Sequence, residues 1–209
     1  MRCAIFAGGE IKDLSFIDVS EIRKSCNLVI CADSGYNYAR KLDIVPDIIV
    51  GDFDSYTENL PENVMIYRSL PEKDDTDTML AVRTAIENGC TDICLYGALG
   101  KRFDHAFANI QVLVYAYEKG CNMRIIDADN EITVQGTGCK EYKKLDGWYF
   151  SIFSLTEKAL IKKYYGVKYP LYDFELEKNF PIGVSNEITE NKAVLQIDSG
   201  LVLIVRSKM

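Results

Sequence analysis

Six short apolar runs separated by stretches of helical period constrain this chain more than any other feature. They lie at Cys3–Ala7, Leu28–Ala32, Ile48–Val50, Val64–Tyr67, Ile93–Tyr96 and Met123–Ile126. Each is brief and rich in branched or aromatic residues without alternation, the pattern of a strand buried on both faces. Between them run helical segments. In TDTMLAVRTAIENG, Leu80, Ala81, Ala85 and Ile86 can share a face, and Gly89 is the stop. In FDHAFANIQVLVYAYEKG the expected core stripe is Phe103, Phe107, Ile110, Val114 and Tyr117, with Gly120 as the stop. Strands alternating with helices predict an open, mostly parallel sheet covered on both faces, a three-layer α/β domain over residues 1–129.

After about Asp129 the helical period disappears. WYFSIFSL, KALIKKYYGVKYPLYDFEL, KAVLQIDSG and LVLIVRS are strand-like segments between glycine, proline and polar turns. A compact all-β unit, a small sandwich or barrel over residues 130–209, is expected. No internal repeat or long linker interrupts the 209 residues.

Charge narrows the partners. A formal net charge of -7 argues against broad electrostatic binding to nucleic acid or to an acidic membrane surface. No run approaches a membrane span, and MRCAIFAGGE enters a strand without an apolar signal region. The seven cysteines include Cys3, Cys31 and Cys94 in apolar surroundings, where they read as small core residues of a reducing compartment. No CxxC pair exists and His105 is the only histidine, which disfavours zinc. A cytoplasmic location is expected.

The chemistry-bearing residues follow the strands. LVICA runs into Asp33-Ser34-Gly35. IIV runs into Gly51-Asp52-Phe53-Asp54-Ser55, and ICLY into Gly97-Ala98-Leu99-Gly100 and then Lys101-Arg102-Phe103-Asp104. A fourth acidic group, EKDDTDT, precedes the helix that begins near Thr76. In a parallel sheet these clusters gather on one rim, where open sheets bind their ligands. Asp52 and Asp54 stand two apart on an extended chain, so their carboxylates point the same way and call for a cation or a raised pKa. Magnesium suits such oxygens and bridges them to phosphates. An exposed turn is the competing reading of Asp52 and Asp54, and helix capping is that of Asp74, Asp75 and Asp77. Asp77, in the first helical turn, could face the same cation. Arg102 offers a planar fork for phosphate. His105 is read as a satisfied helix residue.

The ordered set CADSGYNYA, PDIIVGDFDS, KDDTDT, GALGKRFDH, GVKYPL and SNE resembles the thiamine pyrophosphokinase family over nearly the whole chain. The resemblance implies an α/β domain joined to a β-sandwich, a homodimer with active sites between subunits, and transfer of the terminal diphosphate of ATP to the hydroxyethyl group of thiamine, leaving AMP. It matches Asp52, Asp54 and Asp77 to positions that hold Mg2+. It matches Thr76, Arg102 and Asp104 to nucleotide-binding positions, with Asp33 and Asp75 as further nucleotide candidates and Asp54, Asp77, Arg102 and Asp104 as the catalytic set. Ser185 and Asn186 match positions associated with thiamine. Trp148 and Tyr169 are candidates for the aromatic partner. Lys101 departs from the pattern, standing where a second glycine is common. Two other readings stay open: a haloacid-dehalogenase-like phosphatase that phosphorylates the first aspartate of DxD, and a nucleotide-binding module without turnover.

Overall fold

The computed structural model describes residues 1–51, 64–68 and 75–209, in two compact units, Met1–Ala128 and Asp129–Met209. In the first unit the strands are β1 (Arg2–Phe6), β2 (Leu28–Ala32), β3 (Ile48–Gly51), β4 (Met65–Arg68), β5 (Asp92–Tyr96) and β6 (Asn122–Ile126). They pair in the order β4-β3-β2-β1-β5-β6, every pair parallel. Among the described residues the helices are α1 (Val19–Ser25), α2 (Tyr36–Lys41), α3 (Asp77–Glu87) and α4 (Phe103–Glu118), with a 3₁₀ turn at Asp33–Gly35.

Consecutive residues of the central strands are all buried, which requires cover on both faces. Ala4, Phe6, Val29, Cys31 and Ile49 pack with Ile22 of α1 and with Tyr36 and Ala39 of α2. The intervening Cys3, Ile5 and Ile30 are equally buried. They point to the opposite side, where α3 lies against β2 and α4 against β6. Each such branched or aromatic side chain contributes on the order of 1.5–3 kcal/mol through burial. The expected α/β architecture is therefore present. Gly89 and Gly120 follow the C-caps of α3 and α4 with φ of 81° and 74°, conformations that suit glycine at a helix stop.

One expectation fails on α4. Phe103, Phe107 and Tyr117 are exposed and Ile110 and Val114 only partly covered, while Asn109, Val112, Leu113 and Ala116 face the core. The helix is apolar on two sides, and its smaller residues allow closer approach to the sheet and to α3. On α3 the buried residues are Ala81, Val82, Thr84 and Ala85, so the face is rotated slightly from the one expected through Leu80 and Ile86.

The second unit holds β7 (Asn130–Gln135), β8 (Gly138–Lys143), β9 (Trp148–Ser154), β10 (Lys158–Tyr165), β11 (Leu171–Glu177), β12 (Lys192–Ser199) and β13 (Val202–Lys208). Antiparallel layers β7-β13-β9 and β11-β10-β12-β8 enclose Phe150, Ile152, Ile161, Tyr164, Leu195 and Ile204. This is a β-sandwich. The buried Tyr164 hydroxyl donates to the Phe150 carbonyl at 2.7 Å, joining β10 to β9 across the core. Strands β7 and β8 escaped the sequence reading because polar residues dominate β8, which is exposed along most of its length. All seven cysteines are free, with Cys3, Cys31 and Cys94 buried. Among the described residues no helix is long and apolar enough to cross a membrane.

Candidate active site

Strand order reverses direction between β1 and β5, because the chain leaves β1 toward β2 on one side and returns to β5 on the other. Open α/β sheets bind ligands at such a switch point, beyond the carboxyl ends of the strands. Here two glycine turns meet. The turn after β1 contains Gly8 and Gly9; the turn after β5 runs Gly97-Ala98-Leu99-Gly100. The Gly9 amide donates to the Gly97 carbonyl at 2.9 Å. A Cβ on Gly9 would sit 2.3 Å from the Gly97 oxygen, and one on Gly97, at φ 70°, would sit 2.4 Å from the Ala7 oxygen. Only glycine permits this approach of backbone to backbone.

The turns border a cavity of about 460 Å³, within the range of small-molecule sites. Asp33 and Ser34 enter it from the end of β2, Asp75 to Thr78 from the start of α3, and Lys101 and Arg102 from the turn before α4. Three of the four clusters expected to converge are thus brought together. The fourth, with Asp52 and Asp54, lies outside the described residues, as does Asp74. Asp33 takes φ 48°, a left-handed conformation that aspartate tolerates better than most residues.

Thr76 is the N-cap of α3, its hydroxyl accepting from the Met79 amide at 3.2 Å. Asp77 follows in the first turn and lines the same cavity as Asp33. Asp75, also at the cavity, accepts from Arg83 Nη1 at 2.6 Å. Arg102 grips Asp104 through two contacts, Nε to Oδ1 at 3.2 Å and Nη2 to Oδ2 at 2.6 Å. That hydrogen-bonded guanidinium holds the Asp104 carboxyl below its ordinary pKa, and Asp104 raises that of Arg102. Lys101 Nζ lies 2.9 Å from Glu10 Oε1, spanning the two turns. His105 lies in the first turn of α4, exposed at the cavity edge.

The sequence reading missed Gly8, Gly9 and Asn109. Asn109 is buried and donates to the Ala98 carbonyl at 2.8 Å, pinning the second turn. Its place in an apolar helix was the available signal, since a buried amide needs a partner. Among the described residues no three histidine, cysteine or acidic side chains gather closely enough to hold a metal ion. Asp33 and Asp77 nonetheless present the hard oxygen donors that a divalent cation takes.

In the second unit, Ser185 is exposed at φ 55° and its amide donates to the Ser151 hydroxyl at 2.9 Å. Asn186 is buried. Its side-chain carbonyl accepts from the amides of Tyr169 at 3.0 Å and Glu187 at 2.9 Å, and its amide group donates to the Tyr169 carbonyl at 2.9 Å. Those bonds fix the backbone of Tyr169, whose ring is exposed. Trp148 is partly covered, with Lys208 Nζ 5.9 Å from its ring centre.

Residues 19–125 match the family model described as thiamin pyrophosphokinase, catalytic domain, and residues 139–202 match thiamin pyrophosphokinase, vitamin B1 binding domain. The chain is 30% identical over 211 residues to a thiamine pyrophosphokinase of Bacillus subtilis (strain 168), covering 97% of each. It resembles the crystal structure of thiamine pyrophosphokinase from Bacillus subtilis, with a TM-score of 0.88, 28% identity, and coverage of 100% of this chain and 99% of that one. A thiamin pyrophosphokinase family protein from Enterococcus faecalis gives a TM-score of 0.87 and 26% identity, with both chains fully covered.

Proposed function

We propose a mechanism from one premise: the chain belongs to the thiamin pyrophosphokinase family. It is an enzyme, a thiamine diphosphokinase that makes thiamine diphosphate from thiamine and ATP. By our reading ATP occupies the cavity at the β1/β5 switch point. The observation that carries this placement is the convergence of Asp33, Thr76–Asp77 and Gly97–Arg102 around one space. The first unit, Met1–Ala128, then serves as the nucleotide domain expected over residues 1–129, and the second, Asp129–Met209, as the thiamine domain expected over residues 130–209.

The hydroxyl oxygen of thiamine's hydroxyethyl group attacks the β-phosphorus of ATP. The bond from that phosphorus to the oxygen bridging to the α-phosphate breaks, AMP departs with its electron pair, and the hydroxyl proton passes to solvent or to AMP. Such transfers depend on positioning and on neutralising phosphate charge. The glycine turns let phosphates approach the backbone, and the amides at the start of α3 add a favourable dipole. Arg102 exchanges Asp104 for phosphate oxygens near the leaving group. Asp104 orients that guanidinium in the free enzyme. In that free state the same hydrogen bond holds the Asp104 carboxyl below its ordinary pKa.

The family's use of ATP is consistent with a divalent metal, which we assign as Mg2+. Asp77, with Asp52 and Asp54 from outside the described residues, would hold the ion. The ion would supply charge neutralisation at the phosphates. Ser185 and Asn186 stand on the thiamine side, Asn186 by fixing Tyr169 as an aromatic surface. Thiamine's cationic ring is drawn to an acidic protein. Two copies associate in this proposal, with active sites between subunits; the exposed Phe103, Phe107 and Tyr117 of α4 support association. A cytoplasmic location fits the free cysteines.

Incubating the purified protein with ATP, Mg2+ and thiamine tests the reaction. AMP and thiamine diphosphate in equal amounts are expected, and only when thiamine is present. AMP without thiamine, or a phosphorylated Asp52, would overturn it.

A further inference from the structure

The turn that carries Gly8 and Gly9 follows β1 and forms one wall of the cavity. A side chain from α2 holds it. The Tyr38 hydroxyl donates to the Gly9 carbonyl at 2.9 Å and accepts from the Ile11 amide at 3.0 Å. One oxygen therefore closes the turn from both sides of Glu10. The Tyr38 side chain is partly buried and packs against the apolar cluster that contains Phe6, Ile22 and Ile44, which anchors the ring while its hydroxyl holds the turn. On its inner side the same turn bonds to Gly97, and Gly97 belongs to the turn that Asn109 pins through Ala98. The two cavity-forming turns thus behave as one block braced from outside by Tyr38 and Asn109.

We propose that Tyr38 is a positioning residue for the nucleotide. It touches neither cavity nor substrate; its hydroxyl fixes Gly8–Ile11 in the shape against which ATP phosphates bind. This rests on placing ATP in the cavity. Without the hydroxyl, the Gly9 carbonyl and Ile11 amide turn to water, and ATP must then order a loose turn when it binds. Such a loss falls on nucleotide affinity and leaves the phosphoryl-transfer step intact.

The test compares the full chain with Tyr38→Phe, which keeps the ring and its packing. Hydrogen exchange is followed with and without α,β-methylene-ATP and Mg2+, and steady-state kinetics are measured for both substrates. In the unsubstituted protein the analogue should protect the amides of residues 8–11 and 97–102. In Tyr38→Phe the amides of Gly9 to Ile11 should exchange faster without nucleotide. The KM for ATP should rise about fivefold to tenfold, the loss expected of one to two hydrogen bonds. The kcat and the KM for thiamine should stay within about twofold. Failure of the analogue to protect either turn in the unsubstituted protein would overturn the ATP placement and this assignment with it. Protection there, combined with an unchanged KM for ATP in Tyr38→Phe, would overturn the assignment alone. A uniform loss in kcat and both KM values with a lowered melting temperature would indicate general packing and also overturn it.

Discussion

Arg102 and Asp104 form a closed fork: two guanidinium nitrogens meet both carboxylate oxygens, at 3.2 and 2.6 Å, on exposed side chains beside the cavity. If Arg102 binds phosphate as proposed, the pair would hold its guanidinium in a ready orientation while water still surrounds it. Exposed ion pairs contribute little to stability, so the partner is readily exchanged for a polyanion. Arg102→Lys keeps the charge but removes the fork. Its KM for ATP should rise about tenfold, the scale of one lost charge-assisted hydrogen bond, as steady-state kinetics would show.

The same pair gives a titration test. Asp104 is held below its ordinary pKa first by the Arg102 hydrogen bond. A depressed carboxyl favours the folded form above its unfolded pKa, and this is lost as pH falls through the folded value. In Arg102→Ala the Asp104 midpoint, followed by carbon-detected NMR, should move up toward that of an ordinary aspartate. An unmoved midpoint would show that the fork does not persist in solution.

Thr76 has a structural task besides any nucleotide contact, because its hydroxyl caps α3 through the Met79 amide. Thr76→Ala should cost about 1 kcal/mol by urea denaturation, and Thr76→Ser should restore it. Equal stability of Ala and Ser variants would mean the cap is unimportant here.

Gly97 tests the backbone contact between the turns. An alanine would meet both a φ of 70° and the Ala7 oxygen 2.4 Å away, a backbone atom that cannot swing aside. Gly97→Ala should destabilise the protein by roughly 1–3 kcal/mol and weaken ATP binding measured by calorimetry. Gly89→Ala, with nothing near its added Cβ, should leave ATP affinity unchanged.

The acidic residues carry the metal assignment. Asp77→Asn and Asp54→Asn should each lower turnover about a hundredfold or more while circular dichroism shows a folded chain. Near-normal turnover in either variant would remove that residue from the metal set.

The site was partly legible in the chain because its residues follow strands. LVICADSG and ICLYGALGKRFD each announce a buried strand and then the group it delivers. Parallel order carries those ends to one rim, so Asp33, Asp77 and Arg102 could be expected to meet. The braces could not be read in the same way. Tyr38 reaches Gly9 across 29 positions, and Asn109 reaches Ala98 from a helix otherwise read as apolar. Nothing local marks those pairings.

The order of short buried strands and helical stretches, and its end near Asp129, determined the two architectures, because hydrophobic period is a local property that each segment carries with it. Tertiary structure alone decided which face of α4 is buried. Phe103, Phe107 and Tyr117 form as good a stripe as Val112, Leu113 and Ala116, and the selection was made by close packing against β6 and α3, which admits the smaller side chains and leaves the aromatic rings in water.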